Sequence, residues 1–93
     1  MARLDVLERI DLMLGALSED LSPVDRSFGW TEASRNAMHA FFAEMRADVL
    51  AGKDVAKIPQ YVSVVRGLDH WGISGGRLFE ASATIARMVR ELK

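Results

Sequence analysis

Apolar residues recur at steps of three and four along most of the chain, which is the spacing of one face of an α-helix. The first such stretch covers residues 2 to about 17, and charged side chains occupy its other side. Its apolar positions are Leu4, Leu7, Ile10, Met13, Leu14 and Leu17. The pattern predicts an amphipathic helix that turns this row toward the core.

The periodicity stops over residues 18–29, where serine, proline, aspartate and glycine provide turn chemistry. We expect a loop of about a dozen residues that crosses one end of a helical bundle. Val24 and Phe28 are the apolar residues of this segment that we expect to pack back onto the core.

A second helix is predicted to begin after Thr31, whose hydroxyl can accept hydrogen bonds from the first turn, and to end at Gly52. Its apolar face is Met38, Phe41, Phe42, Met45, Val49 and Leu50. The two phenylalanines are neighbours about 100° apart on a helix, so one of them is expected to face a second surface. Aromatic and methionine side chains suit an adaptable contact surface, which predicts an interface at Met38, Phe41, Phe42 and Met45.

Two further helices complete the pattern. Pro59 suits the first position of a helix that runs to about Trp71, although the β-branched residues near Tyr61 would also fit a strand. Gly72 ends this helix, and Ser74 caps a last helix over about residues 75–92. Four helices joined by short links predict an all-α fold, a small helical bundle in which residues 1–93 form a single domain.

The chain is small for its apolar content: hydrophobic residues make up 49% of its 93 positions. A domain of this size has difficulty hiding so much apolar surface within itself. We therefore expect self-association through apolar helix faces, most simply as a homodimer.

Cysteine is absent from the sequence, which excludes a disulfide framework and thiolate metal ligands. Asp5, Glu8 and Asp11 interrupt the first apolar stretch, so it fits neither a signal peptide nor a membrane span. The sequence predicts a cytoplasmic protein without membrane partners.

Charge is unevenly distributed along the chain. Residues 1–52 carry five basic and nine acidic side chains, a balance of −4, whereas residues 53–93 carry seven basic and four acidic, a balance of +3. The basic half could face a polyanion, and head-to-tail attraction between copies would use the asymmetry equally well.

The turn after Gly72 carries the one recognisable motif. An apolar Ile73, the helix-opening Ser74 and apolar residues inside the next helix resemble the turn of a helix-turn-helix DNA-binding motif. The resemblance implies DNA contact near Ser74, Gly75, Gly76 and Arg77. Two glycines cannot read a base edge, however, so nucleic acid is the less favoured partner.

The same four residues allow an anion site. Gly75 and Gly76 leave backbone amides bare at a helix start, and Arg77 adds a forked donor. A phosphate or carboxylate would suit this place, although the spacing is not that of a phosphate-binding loop. The structural alternative is that the glycines relieve crowding where helices meet.

Catalytic patterns are not visible in the sequence. His39 and His70 lie on different predicted helices without further ligands at metal-binding steps, so we expect no metal site and no cofactor. Glu44 and Asp48 lie one turn apart on what reads as a charged helix surface. We therefore expect a non-catalytic protein-protein interaction module, such as a small regulator, adaptor or accessory protein. The alternatives are a small helix-turn-helix DNA-binding regulator and a binding module for a small anionic or apolar ligand.

Overall fold

A computed structural model describes residues 2–92, and every regular element among them is helical. The elements are α1 (Arg3–Leu17), α2 (Pro23–Ser27), α3 (Glu32–Leu50), a 3₁₀ turn (Val55–Lys57), α4 (Pro59–Val62), α5 (Val64–His70) and α6 (Arg77–Arg90). The predicted all-α class is confirmed. The four predicted helices correspond to α1, α3, α4 with α5, and α6, and the short α2 is additional.

The helices pack in the order α3, α1, α6, α5. Helix α1 lies along both α3 and α6, and α6 also packs against α4 and α5. Within residues 2–92, no extensive packing joins α3 to α5. Helix α6 is therefore the central helix of the fold, and its buried residues are Leu78, Ser82, Ile85, Ala86, Met88 and Val89.

The core-facing row of α1 differs from the predicted one only at its start. Ile10, Met13 and Leu17 are buried as predicted, and Leu7 and Leu14 pack against the core. Val6 is buried as well, whereas Leu4 is 74% exposed. Both rows follow helical spacing, because α1 has apolar residues around most of its circumference. The Arg3 guanidinium donates to the carbonyls of Val49 and Lys53, and this contact holds the start of α1 against the end of α3 with Leu4 facing outward.

The predicted loop over residues 18–29 contains a helix. Ser22 caps α2 by accepting a hydrogen bond from the Asp25 amide at 3.1 Å, and Pro23 takes the first helical position. The helical turn directs Asp25 inward and leaves Val24 and Phe28 substantially exposed, so their predicted place in the core was wrong. The apolar residue near this segment that lies in the core is Trp30, which is 2% exposed.

Helix α3 follows its prediction closely. The Thr31 hydroxyl accepts a hydrogen bond from the Ser34 amide at 3.2 Å, and the Ser34 hydroxyl accepts one from the Thr31 amide at 2.9 Å. This reciprocal cap satisfies two amides that the helix cannot pair. Gly52, just beyond the last turn, has the positive φ of +77° that ends helices.

The predicted third helix is broken at Ser63, which separates α4 from α5. The Ser63 hydroxyl donates to the carbonyl of Pro59 at 2.6 Å, and its backbone leaves helical geometry at φ −115° and ψ 29°. Serine competes in this way for helix carbonyls, and its β-branched neighbours lower helix propensity further.

The start of the last helix also differs from the prediction. Helix α6 begins at Arg77, and the preceding residue is Gly76 with φ +99°. Ser74 is not its cap, because Gly76 occupies the N-cap position and no side chain caps the helix. The Ser74 amide donates to the carbonyl of Phe28 at 2.9 Å. The turn is thus organised by its contact with the segment around α2.

Candidate functional site

An open groove lies where α3 and α5 fail to meet. Its volume is about 470 Å³. Ala37, Met38 and Phe41 of α3 form one wall. The other wall comes from α4, α5 and the break between them, through Gln60, Ser63, Val64, Arg66, Gly67, His70 and Trp71. We call this the α3/α5 groove.

Two local features keep the groove open. Gly67 lies within α5 and contributes no side chain, and a Cβ added to it would meet no atom within 4 Å. The break at Ser63 ends α4 after a single turn. The groove is therefore unfilled space between α3 and α5, two helices that do not pack closely against each other.

An aromatic contact joins the two walls. The Phe41 ring lies edge-to-face with Tyr61 of α4, with ring centroids 5.5 Å apart, and in the same way with Phe42 at 5.2 Å. Edge-to-face pairs are favourable because the positive ring edge meets the negative ring face. Phe41 is thus fixed in position while one side of it lines the groove.

The buried Tyr61 is held by a charged partner. Its hydroxyl donates to Asp48 Oδ2, and Lys53 Nζ lies 3.0 Å from the other Asp48 oxygen. The Tyr61 hydrogen bond, followed by Lys53, lowers the pKa of Asp48. Burial, followed by the bond to Asp48, raises the pKa of Tyr61. Both groups keep their neutral-pH protonation states, which stabilises the α3–α4 contact beside the groove.

Trp71 gives the groove its most exposed apolar side chain. It is 48% exposed, whereas the other tryptophan, Trp30, is 2% exposed. Arg66 and His70 are the ionisable side chains of the groove wall, and in the described part of the chain no carboxylate lines it. The geometry suits an apolar helix face that carries acidic side chains.

The predicted interface is mostly core. Met38 is 5% exposed, and Phe42 and Met45 are fully buried. They lie in the main apolar cluster because α3 turns this row toward α1. Of the four predicted residues, only Phe41 remains half-buried at the surface, and it lines the α3/α5 groove with the edge of Met38.

The predicted site at Ser74, Gly75, Gly76 and Arg77 lies against α2. Asp25, 5% exposed, accepts a long hydrogen bond from the amide of Leu78 at 3.4 Å and a second from the Ser22 hydroxyl at 3.0 Å. A carboxylate of the chain itself thus stands at the start of α6, where the helix dipole favours a negative charge. A Cβ on Gly76 would collide with this carboxylate.

Further contacts make this turn a tight junction. The Trp30 indole Nε1 donates to the carbonyl of Gly75 at 3.2 Å, and a Cβ on Gly75 would lie 2.9 Å from the Phe28 ring. We call residues 22–30 together with residues 72–78 the α2 junction. Arg77, at the edge of the junction, lines a smaller groove of about 250 Å³ between α1 and α6. It also lines a shallower depression together with Ser22 and Asp25.

Among residues 2–92, no group of three or more His, Cys, Asp or Glu side chains is close enough to hold a metal ion. His39 is half-buried on α3, and His70 is exposed in the groove wall.

No described helix combines the length and apolar character needed to cross a membrane.

Sequence reasoning missed most of the groove wall. The sequence pattern gave no groove role to Gln60, Gly67, His70 or Trp71. A glycine in the middle of an amphipathic helix was the available signal, since such a residue weakens the helix unless space or packing requires it.

Comparisons with known proteins identify no relative. No protein-family model matches the chain, and no match was found among curated proteins or among solved structures. The geometry of the chain itself therefore supplies the argument for function.

Proposed function

We propose that this protein is a non-catalytic protein-contact module whose α3/α5 groove receives the apolar face of a helix from a protein partner. One observation carries the proposal: a half-exposed Trp71 lies beside an open, mainly apolar groove of about 470 Å³ between α3 and α5. The role would be that of a small regulator, adaptor or accessory protein.

The shape of the groove supports a helical occupant. Phe41, Gly67 and Trp71 are contributed by two helices, and grooves between helices commonly accept a third amphipathic helix. Tryptophan is over-represented among residues that dominate binding energy, because its large ring buries much area at small entropic loss. The aromatic contacts of Phe41 already fix one wall, so binding requires little rearrangement.

The charge of the groove supports an acidic occupant. Arg66 and His70 lie on the same wall, beside apolar Val64. Carboxylates placed beside the apolar contacts of a partner helix would pair with this wall, whereas lysines would be repelled from Arg66. Complementary charge of this kind selects among partners that offer similar apolar faces.

The helix-turn-helix and anion alternatives gain no comparable support. Helix α6, which would have to enter a DNA groove, packs against α1, α2, α4 and α5, and the exposed side of its first turn carries Glu80, which DNA phosphates would repel. At its start, the amides of Ser74 and Leu78 donate to groups within the chain.

A cytoplasmic location, suggested by the lack of cysteine, stays a prediction alongside this proposal.

The two tryptophans allow a direct test by ¹⁹F NMR. The full chain is prepared with 5-fluorotryptophan, and the resonances are assigned with Trp71→Phe. A designed amphipathic peptide of about 16 residues, built from Leu, Ala and Glu, is then added to about 1 mM. We expect a saturable shift of the Trp71 resonance while that of buried Trp30 stays in place.

Two controls define the result. A peptide with Lys in place of Glu is expected to bind several-fold more weakly. Gly67→Leu fills the groove with a side chain that meets no neighbour at its Cβ, and it should abolish the Trp71 shift while the fold is retained. An unchanged Trp71 resonance with every peptide at 1 mM would contradict the proposal.

A further inference from the structure

The outward side of α1 carries an apolar and acidic surface. Leu4 is 74% exposed and Leu12 is 67% exposed. Glu8 lies between them on the helix, because residues four apart are separated by only 40° around the axis. Asp5 and Asp11 are also exposed and flank this row. The Asp11 carboxylate accepts a hydrogen bond from Arg46 Nε of α3 at 2.7 Å, so Asp5 and Glu8 carry the acidic contacts considered below. We call Leu4, Asp5, Glu8, Asp11 and Leu12 the α1 outer face.

The α1 outer face has the chemistry that the groove requires. Two leucines about 12 Å apart along the helix would contact the apolar wall near Phe41 and Trp71. Glu8 and Asp5 would lie opposite Arg66. Apolar contacts and opposite charges therefore coincide in the same pair of surfaces.

The same complementarity is present in the charge of the whole chain. Residues 1–52 have a balance of −4 and include α1, whereas residues 53–93 have a balance of +3 and include the α5 wall of the groove. A contact between α1 of one copy and α5 of another brings these oppositely charged halves together.

The two surfaces occupy different parts of one molecule. The buried row of α1 faces α3 and α6, so its outer face points away from the bundle, and the groove lies between α3 and α5. A chain therefore cannot insert its own α1 outer face into its own groove. A contact between two such unlike surfaces is heterologous and leaves one unused surface on each end copy.

We infer that the occupant of the α3/α5 groove is the α1 outer face of a second copy, so that copies associate head to tail. This inference rests on the proposed function of the groove and names its partner. It replaces the simple homodimer expected from the sequence with an arrangement that continues beyond two copies. The interface is small, so a dissociation constant of about 0.1–1 mM is expected.

Sedimentation velocity of the full chain, at concentrations up to about 1 mM, tests the arrangement. The wild-type average mass is expected to rise above 10.3 kDa and to pass the dimer value. Leu12→Lys removes the α1 outer face, and Gly67→Leu blocks the groove. Each variant alone should sediment as a monomer. Val24→Lys changes a 53% exposed residue on α2 and is the matched control that should associate like the wild type.

Mixing the two defective variants gives the sharpest result. Leu12→Lys keeps an intact groove and Gly67→Leu keeps an intact α1 outer face, so an equal mixture should form a 1:1 pair and no larger species. Circular dichroism of each variant confirms that the fold is retained. Failure of the mixture to associate, or normal association of Leu12→Lys alone, would overturn the inference.

The remaining outcomes separate this inference from the proposed function. A wild-type chain that stays monomeric at 1 mM, while the acidic peptide still shifts the Trp71 resonance, overturns self-association and leaves the groove as a site for another protein. A monomer that also fails to respond to the peptide overturns both. A mass that stops at the dimer overturns the head-to-tail arrangement.

Discussion

The α2 junction and the α3/α5 groove are both places where glycines stand between helices, and they differ in what occupies the space. At the junction, the backbone of Gly29 lies against that of Gly72, and the Asp25 carboxylate lies against Gly76. In the groove, the position beside Gly67 is open. Missing side chains thus permit close packing in one region and leave a vacant surface in the other.

The difference teaches how to interpret glycine in a small helical protein. The junction glycines Gly29 and Gly76 have positive φ values of +102° and +99°, which L side chains rarely adopt. Gly67 lies in a regular helix, where any residue fits the backbone. Backbone conformation and nearby atoms together therefore separate a glycine that the fold requires from one that the fold merely tolerates.

The largest effect is expected from Gly29→Ala. A Cβ at this position would collide with the Gly72 carbonyl oxygen, and the backbone has a positive φ. We expect the free energy of unfolding to fall by about 3 kcal/mol, combining left-handed strain with overpacking. Urea denaturation measures the change. A loss below about 1 kcal/mol would show that the junction can relax.

Gly67→Ala is the matched opposite case, with a smaller effect. The new methyl group meets no atom within 4 Å, and alanine favours the helix over glycine. We expect the free energy of unfolding to rise by about 1 kcal/mol. Gly15→Ala in α1, which also has open space around its Cβ, should behave similarly in the same urea experiment. Destabilisation by Gly67→Ala would mean that the groove is closed by packing in solution.

The smallest effect concerns pH and the Tyr61–Asp48 pair beside the groove. The pKa of Asp48 is lower in the folded chain than its ordinary value of 3.8. The ionised Asp48 therefore stabilises the fold fully above pH 3.8, and this stabilisation is lost as the pH falls through the lowered pKa. The pKa of Tyr61 is higher in the folded chain than its ordinary value of 10.0. The protonated Tyr61 therefore stabilises the fold fully below pH 10.0, and this stabilisation is lost as the pH rises toward the raised pKa.

Tyr61→Phe isolates this pair from the other ionisable groups. Urea unfolding of the wild type and the variant is compared at pH 3, 7 and 11, and the difference in unfolding free energy should be largest at pH 7. A difference that is constant across the three pH values would contradict the assigned hydrogen bond.

Sequence patterns predict the fold best where local chemistry and packing agree. Thr31 and Gly52 bound α3 because their side-chain and backbone preferences are satisfied within a few residues of chain. The core row of α1 was predicted less well, since apolar residues on most sides of that helix allow more than one row. Tertiary contacts of Arg3 decide between them.

The groove was beyond sequence reasoning for a different reason. Which of the two tryptophans is buried depends on which helices pack together. The helices pack in the order α3, α1, α6 and α5, and this order leaves Trp71 beside an open space while Trp30 is buried. The prediction that Met38, Phe42 and Met45 form an interface failed in the same way, because an aromatic and methionine face fits a core as well as a contact surface. A local pattern shows that a face is apolar, and the arrangement of helices decides what covers it.

Amide NMR during titration with the acidic peptide tests most directly which of the two regions is the contact surface. The amides of Gly67 and Gly75 report on the groove and the α2 junction respectively, and glycine resonances are easily identified in such spectra. The account predicts that the Gly67 amide and its groove neighbours shift with saturation while the Gly75 amide stays unchanged. Saturable shifts at Gly75 and Arg77 with an unchanged Gly67 would place the contact at the junction and contradict the account.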